Sequence, residues 1–234
     1  MDNSQNTNYS LFKLIILKYK TKMDRYKETF KTWDKMASLY CEKFMDMQLY
    51  NATYDYVLNT IVKNKAQILD LGCGPGNITK YMLSKRPDYK ICGIDIAPNM
   101  IGLAEKNNPT AVFKNMDARQ IRKLNTIFDG IICGFCLPYL SQRECENLIS
   151  DIYQLLKDDG LIYLSFVEGD PKKSGFISNS GGSRVYFYFH SLENIEALLL
   201  KNNFKDLKIW KVEYKISEKD MDIHTVVTAK KNCQ

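Results

Sequence analysis

The stretch Ile68-Leu69-Asp70-Leu71-Gly72-Cys73-Gly74-Pro75-Gly76-Asn77 decides the predicted fold. In it an apolar run of strand length ends in three glycines at alternate positions, and a helical pattern follows. Glycine at such positions lets the backbone turn tightly and approach a ligand without obstruction by side chains. A dinucleotide-binding fingerprint would require glycine at position 77, which is Asn here, and Pro75 also departs from it. The stretch predicts a strand–turn–helix unit, either an ordinary turn or a ligand-binding turn, and weakens the case for a pyrophosphate site.

Short apolar runs alternate with helical stretches along the chain. The strand candidates are residues 67–71, 90–94, 111–114, 128–133 and 161–167. Such alternation predicts an α/β protein with a Rossmann-like, doubly wound, mostly parallel sheet and helices on both faces. Two later runs of alternating hydrophobicity, residues 207–216 and 222–230, are separated by a charged turn. They predict an antiparallel C-terminal hairpin that closes the sheet.

Helical periodicity marks the segments around these strands. Ser141 and Glu144 form a capping-box pattern that predicts the start of a helix, and Gly160 is expected to end it. Residues 49–62 and 191–203 also have helical patterns. Residues 11–44 predict one or two amphipathic helices ahead of the sheet.

The positive charge of the chain is concentrated at its N-terminus. The 234 residues carry a formal net charge of +6, and residues 1–35 hold eight Lys or Arg against four acids. A nucleic-acid-binding protein usually concentrates more positive charge on its main body. We therefore expect a basic helical extension over residues 1–35 and a single domain over residues 36–234. We further hypothesise that residues 1–22 are dispensable for folding.

Cysteine usage and hydrophobicity exclude several classes of protein. Seven scattered cysteines favour reduced thiols over a secreted disulfide framework. No apolar run approaches the roughly 18 residues that a membrane span needs, and residues 14–17 are too short for the core of a signal peptide. The chain has two histidines, and Cys133-x-x-Cys136 has no second pair, so no metal site is predicted. We expect a soluble, cytoplasmic protein that does not bind membranes.

Acidic residues follow the second and third predicted strands, where parallel strands end at one edge of a sheet. Asp95 could accept hydrogen bonds from a ribose diol, or cap the helix that follows it. Asp117 could accept a hydrogen bond from the amino group of an adenine, or be a solvated loop acid. Ile96 and Met100 are placed to sandwich the base, although Met100 would also suit a helix core. Together with the glycine turn, these residues predict a nucleoside-binding edge.

This constellation resembles the class I S-adenosylmethionine-dependent methyltransferases over about residues 37–230. Residues 69–76 look like the first motif of that family without departure, and residues 128–135 and 155–161 resemble its fourth strand and the turn into its fifth. The family has a seven-stranded sheet whose last pair is antiparallel. The resemblance implies S-adenosyl-L-methionine as the cofactor, with the methionyl part near the glycines, the ribose at Asp95 and the adenine at Asp117 and Ala118.

The predicted cofactor site draws on several segments of the chain. Cys133 and Gly134, at the end of the fourth strand, are implied to lie beside the sulfonium. Tyr40 closes an Ala-x-x-Tyr segment found in related small-molecule enzymes, so it is expected to cover the cofactor or, alternatively, to pack on the core. The full predicted set is Tyr40, Asp70, Gly72, Cys73, Gly74, Asp95, Ile96, Met100, Asp117, Ala118, Cys133 and Gly134.

Candidate residues for the acceptor follow the fourth strand and lie in a loop-rich insertion at about residues 169–190. Tyr139, Arg184, Tyr186 and Tyr188 are predicted to bind the acceptor, and Tyr139 is also a candidate catalytic residue. His190 is a candidate general base, since an unperturbed histidine pKa of about 6.5 suits proton transfer, or else a residue that precedes a helix. His224 is expected to be structural.

The predicted function is methyl transfer to a small soluble acceptor by direct in-line displacement. Two alternatives stay open. One is a methyltransferase that modifies tRNA or protein and uses the basic arm to attract it. The other is a module that binds S-adenosylmethionine without catalysis. We expect a monomer or homodimer that does not bind nucleic acid.

Overall fold

The predicted sheet forms around the glycine-containing stretch in a computed structural model that describes residues 25–178, 182–218 and 220–232. The strands are β1 (Gln67–Leu71), β2 (Lys90–Asp95), β3 (Val112–Asn115), β4 (Phe128–Cys133), β5 (Leu156–Val167), β6 (Gly175–Ser178), β7 (Arg184–Phe187), β8 (Phe204–Lys215) and β9 (Met221–Lys231). Seven of them form one sheet in the order β3-β2-β1-β4-β5-β9-β8. The first five are parallel, whereas β9 is antiparallel to both β5 and β8, as predicted.

Helices connect these strands. They are α1 (residues 25–35), α2 (Ala37–Phe44), α3 (Asn51–Thr60), α4 (Asn77–Lys85), α5 (Pro98–Asn107), α6 (Gln142–Leu155) and α7 (Leu192–Lys201). Two 3-10 turns, Ala118–Lys123 and Leu137–Tyr139, follow β3 and β4. Within the described ranges, no helix combines the length and the apolar composition needed to cross a bilayer.

Alternate residues of β1 enter hydrophobic clusters on opposite faces of the sheet. Leu69 and Leu71 pack in a cluster with the apolar face of α6. Ile68 packs in another cluster with Val57 of α3 and Met82 of α4. Side chains of a strand alternate between its two faces, so these contacts place helices on both sides of the sheet. The prediction of a doubly wound α/β fold is confirmed.

The start of α6 is capped as predicted. The Ser141 backbone N–H donates to the Glu144 carboxylate at 2.8 Å, and the Ser141 hydroxyl donates to the same oxygen at 2.5 Å. A donor at the helix start and a carboxylate three residues later thus fix the first turn.

The end of α6 was predicted wrongly. The helix ends at Leu155, and the chain enters β5 at once, so Gly160 lies within a strand. Asp159, with φ 57°, takes the left-handed conformation expected of the glycine. Gly160 is required for a different reason, because a Cβ there would lie 2.7 Å from the Lys157 carbonyl oxygen.

The predicted N-terminal extension and the predicted insertion contact each other. Strands β6 and β7 form an antiparallel pair within the insertion. The Thr32 hydroxyl of α1 donates to the Arg184 carbonyl oxygen at 2.8 Å, and the Tyr186 N–H donates to Thr29 Oγ1 at 2.9 Å. Helix α1 therefore packs on the β6–β7 pair. The hypothesis about residues 1–22 lies outside the described residues.

Replacing Ser141 with Ala tests the cap of α6. Loss of an N-cap side chain costs about 1 kcal/mol, so the free energy of unfolding in urea should fall by about that amount. Thr110→Ala, at an exposed turn position, is the control and should change the free energy of unfolding by less than about 0.5 kcal/mol. Equal stability of the Ser141 variant and the wild type would contradict the capping role.

Candidate functional site

Two adjoining cavities lie at the carboxyl ends of β1, β2 and β4. The first brings together most of the residues predicted to hold a cofactor. The glycine turn contributes Gly72 and Gly74 to its wall, the end of β2 contributes Asp95 and Ile96, and α5 contributes Met100. Further predicted residues on its wall are Tyr40, Asp117, Ala118, Gly134 and Tyr139.

The glycine turn adopts a backbone that side chains disfavour. The φ angles are 69° at Gly72, 53° at Gly74 and 83° at Gly76, all in the left-handed region. A Cβ at Gly76 would lie 2.3 Å from Asn108 Nδ2, and one at Gly72 would lie 3.0 Å from Cys136 Cβ. The backbone conformation therefore favours glycine at all three positions, and the limited space adds to this at Gly72 and Gly76.

Asp95 joins the glycine turn to the end of β2. Its Oδ2 accepts a hydrogen bond from the Gly74 N–H at 3.0 Å, and its Oδ1 accepts one from the Ala97 N–H at 2.9 Å. Burial raises the pKa of this carboxyl, and the backbone donors oppose the rise. Each oxygen can accept a further hydrogen bond. The contact with Gly74 was not predicted, because the two residues are far apart in the sequence.

Asp117 lies on the wall of the first cavity, but Arg119 holds its carboxylate. Arg119 Nη2 donates to Oδ2 at 2.6 Å, and the Arg119 backbone N–H donates to Oδ1 at 2.9 Å. Arg119 Nη1 also donates to Glu144 at 3.2 Å. The sequence predicts Asp117 as an acceptor for an amino group, and in the structure both of its carboxylate oxygens accept hydrogen bonds from Arg119.

Aromatic side chains from α1 and α2 cover the first cavity. The Trp33 ring meets the Tyr40 ring edge-on at 5.5 Å between centroids and the Tyr139 ring at 5.6 Å. Phe30 of α1 also lines this cavity. It was missed because residues 1–35 were interpreted as a separate basic extension. Other wall residues that sequence reasoning did not single out for the cofactor are Met116, Phe135, Cys136 and Leu140.

The predicted acceptor residues of the insertion contact α1 and line neither of these two cavities. Arg184 forms an ion pair with Glu28 at 2.5 Å. The Arg25 guanidinium lies 4.6 Å from the ring centre of Tyr186 and 5.3 Å from that of Tyr188. These side chains therefore hold α1 in place, and α1 in turn covers the first cavity.

His190, the candidate base, is buried away from both cavities. Its side chain is 4% exposed, and its Nε2 lies 2.9 Å from the Leu137 carbonyl oxygen and 3.7 Å from Cys145 Sγ. Burial lowers its pKa, while the contact with Leu137 opposes that shift. The structure thus places His190 in the core just before α7.

Three other residues of the predicted cofactor set do not line the first cavity. Asp70 is buried below the turn, where its Oδ2 accepts a hydrogen bond from the Thr79 hydroxyl at 2.6 Å. Burial raises the pKa of Asp70 to about 6. Cys133 is fully buried at the end of β4, which raises the pKa of its thiol. Cys73 lines the second cavity instead.

The second cavity reaches from the glycine turn to the C-terminal hairpin. Its far wall includes Tyr50, Tyr214 and His224. The Tyr50 hydroxyl lies 2.6 Å from His224 Nδ1. Because β9 pairs with β5 so that His224 lies opposite Val167, the histidine reaches the carboxyl end of the sheet. The sequence did not reveal this placement, since it does not show which strand the hairpin joins.

The chain is similar to methyltransferases in both sequence and fold. Residues 68–160 match the model of a methyltransferase domain. A malonyl-[acyl-carrier protein] O-methyltransferase from Acetivibrio thermocellus is 33% identical over 105 residues, which cover 44% of this chain and 36% of that protein. A ribosomal RNA large subunit methyltransferase E from Brachyspira hyodysenteriae is 28% identical over 163 residues, 63% of this chain and 82% of that protein.

Among solved structures, the chain resembles 1,6-didemethyltoxoflavin-N1-methyltransferase from Burkholderia thailandensis, with bound 1,6-didemethyltoxoflavin and S-adenosylhomocysteine. The TM-score is 0.67 at 19% identity, and the match covers 90% of each chain. At this identity the likeness shows the fold. The first three curated relatives are matched over only 36%, 38% and 51% of their own length.

Asp70 makes the stability of the fold depend on pH. A pKa of about 6 in the folded chain, against about 3.9 in an unfolded one, means that the folded state binds the proton more tightly. The stabilisation from this group is complete below about pH 4 and is lost as the pH rises through about 6. Between these limits Asp70→Asn should gain up to about 3 kcal/mol in free energy of unfolding relative to the wild type.

Urea denaturation at stepped pH measures this difference. A second variant, Thr79→Val, removes the hydroxyl that lowers the Asp70 pKa, so it should move the midpoint of the pH dependence upward. A difference between Asp70→Asn and the wild type that stays constant with pH would refute the burial effect.

Proposed function

We propose that this chain, which belongs to the class I S-adenosylmethionine-dependent methyltransferase family, transfers a methyl group from S-adenosyl-L-methionine to a small soluble acceptor. The observation that carries the proposal is the position of Asp95. Its carboxylate lines the first cavity at the β2 end and also braces the glycine turn. A ribose-binding acid and a glycine turn thus form one unit at the edge where α/β sheets bind ligands.

The residues of the first cavity fit the adenosine part of this cofactor. Asp95 suits a ribose diol, because both of its oxygens can accept a further hydrogen bond. Ile96, Met100 and Ala118 offer apolar surface for an adenine ring. The methionyl part would lie along the backbone at Gly72. The S-adenosylhomocysteine bound in the solved Burkholderia thailandensis enzyme supports S-adenosylmethionine as the cofactor.

The residues of the chain position the cofactor and the acceptor and enclose them during the reaction. When bound, S-adenosylmethionine supplies a methyl group on a positively charged sulfur that leaves with the bonding electrons. Trp33, Tyr40 and Tyr139 line both cavities, and aromatic faces favour a nearby cation by about 0.5–2 kcal/mol. Helix α1 covers the first cavity and would keep water away from the reacting atoms. The acceptor atom must be held in line at roughly 3–3.5 Å, and we assign it to the second cavity because that cavity adjoins the place proposed for the cofactor.

The covered site favours a small acceptor over RNA or protein. Helices α1 and α2 contribute Phe30, Trp33 and Tyr40 to the first cavity and Phe44 to the second, so the acceptor must fit beneath them. The solved Burkholderia thailandensis enzyme holds a small molecule, 1,6-didemethyltoxoflavin.

Calorimetric titration with S-adenosylhomocysteine tests the cofactor assignment. Asp95→Asn should weaken binding at least about tenfold, because a hydrogen bond to a charged acceptor contributes about 1.5–3 kcal/mol. The matched control is Asp158→Asn. Its side chain is 73% exposed, and it lies near the start of β5, at the opposite edge of the sheet. This control should bind S-adenosylhomocysteine as the wild type does.

Thermal-shift measurements complete the test. S-adenosylhomocysteine should stabilise the chain more than NAD does. Greater stabilisation by NAD, or equal affinity of Asp95→Asn and the wild type for S-adenosylhomocysteine, would contradict the proposal. Release of S-adenosylhomocysteine from S-adenosylmethionine in a metabolite extract tests the transfer itself. Cofactor binding without any such release would indicate a binding module.

A further inference from the structure

The second cavity directly adjoins the place proposed for the cofactor. Gly72, Gly74 and Gly134 line both cavities, as do the aromatic side chains of Trp33 and Tyr139. Tyr40 and Phe135 also line both cavities. A molecule in the second cavity would therefore lie next to a ligand of the first, with glycines and aromatic rings around the junction. This position suits the methyl acceptor.

The wall that belongs to the second cavity alone is uncharged and mostly aromatic, with Cys73, Asn77 and Ile78 beside the glycine turn. Among the described residues it includes no Lys, Arg, Asp or Glu, and its main members are Phe44, Met47, Tyr50, Tyr54, Tyr214 and His224. Burial lowers the pKa of His224, with Asp222 opposing the shift, so the imidazole is neutral near pH 7. A phosphate or carboxylate here would be buried without a counter-charge, which is costly. Flat aromatic walls instead suit a planar ring.

His224 has a fixed ring with one nitrogen left for a ligand. Tyr50 occupies Nδ1 at 2.6 Å, and the Tyr214 ring stacks on the imidazole at 4.7 Å between centroids and 12° between planes. Phe135 meets the imidazole edge-on at 4.9 Å. Nε2 has no hydrogen-bond partner among the described residues. It can serve a ligand as donor or acceptor, according to the direction of the bond with Tyr50.

We infer that the second cavity binds an uncharged, planar aromatic acceptor that carries a hydroxyl group or a ring nitrogen, and that His224 Nε2 makes the hydrogen bond that orients it. This inference deepens the proposed methyl transfer and rests on it. It assigns acceptor specificity to the β8–β9 hairpin and α3, and it gives the insertion at residues 169–190 the separate role of holding α1.

Four compounds with the same ring system separate the possible ligand classes. 2-Naphthol is neutral and has a hydroxyl group, and 2-methylnaphthalene is its apolar counterpart. 2-Naphthoate is an anion, and 2-naphthylmethylammonium is a cation. Binding to the full chain is measured by calorimetry with S-adenosylhomocysteine present. We expect 2-naphthol to bind, and 2-naphthoate to bind at least about tenfold more weakly because its carboxylate would be buried without a counter-charge.

His224→Phe keeps a flat ring in the stack and removes both nitrogens. We expect it to reduce the preference for 2-naphthol over 2-methylnaphthalene about tenfold, the effect of one hydrogen bond. The preference is a ratio of two affinities, so a change that weakens the binding of both compounds equally leaves it unaltered. His224→Gln retains a polar group and should keep more of the preference. His190→Gln, at the other histidine, is the control and should leave the preference unchanged.

Several results would overturn the inference. They are an unchanged preference in His224→Phe, tighter binding of either charged naphthalene, or no binding of 2-naphthol. Should His224→Phe fail to fold, the ranking of the four compounds by the wild type and the preference of His224→Gln decide the matter. The binding of S-adenosylhomocysteine itself is measured in the same set of titrations. Failure of the wild type to bind it refutes the proposed function, whereas its binding without 2-naphthol refutes only the acceptor assignment.

Discussion

The hydrogen bond from the Gly74 N–H to the Asp95 carboxylate, 3.0 Å long, is the interaction on which the site depends. The two preceding N–H groups, of Gly72 and Cys73, donate to the Ile94 carbonyl oxygen at 2.8 and 2.9 Å. Three successive backbone donors therefore tie the turn after β1 to the end of β2. Both cavities open from this turn, and the aromatic residues of α1 and α2 close over it. The carboxylate that fixes the turn also lines the first cavity, where we propose that the ribose binds, so one group serves both local structure and the proposed ligand binding.

Most strands of the sheet could be predicted from the sequence, because the local apolar runs agree with the burial of the strands in the folded chain. The ends of β1 and β4 match their apolar runs, since each strand is buried on both faces and is followed by a segment with glycine. The end of α6 was predicted wrongly because Gly160 looked like a helix stop, whereas its actual role is to avoid the Lys157 carbonyl oxygen inside β5. That close approach depends on the path of the folded chain, which periodicity does not reveal.

The candidate site, like the sheet, could be predicted in part from the sequence. The closeness of Asp95 and the glycines could be predicted because parallel strands end at one edge, whichever neighbours they pair with. The two histidines were harder to rank, since nothing local distinguishes His190 from His224. The order β5-β9-β8 brings His224 opposite Val167 at the carboxyl end of β5, where it lines the second cavity. His190 pairs with Glu168 directly after β5, but its ring nitrogen faces Leu137 and Cys145 instead. Arg184 was assigned to the acceptor because its partner, Glu28, belongs to a helix that the charge pattern had set apart.

A crystal structure of the chain with S-adenosylhomocysteine is the most direct test of the central claim, that Asp95 both braces the turn and holds the ribose. We predict ribose hydroxyl oxygens within about 3.2 Å of the Asp95 carboxylate, with the hydrogen bond from the Gly74 N–H retained. A ribose bound elsewhere, or a carboxylate that must leave Gly74 in order to reach it, would show that Asp95 does not combine the two roles.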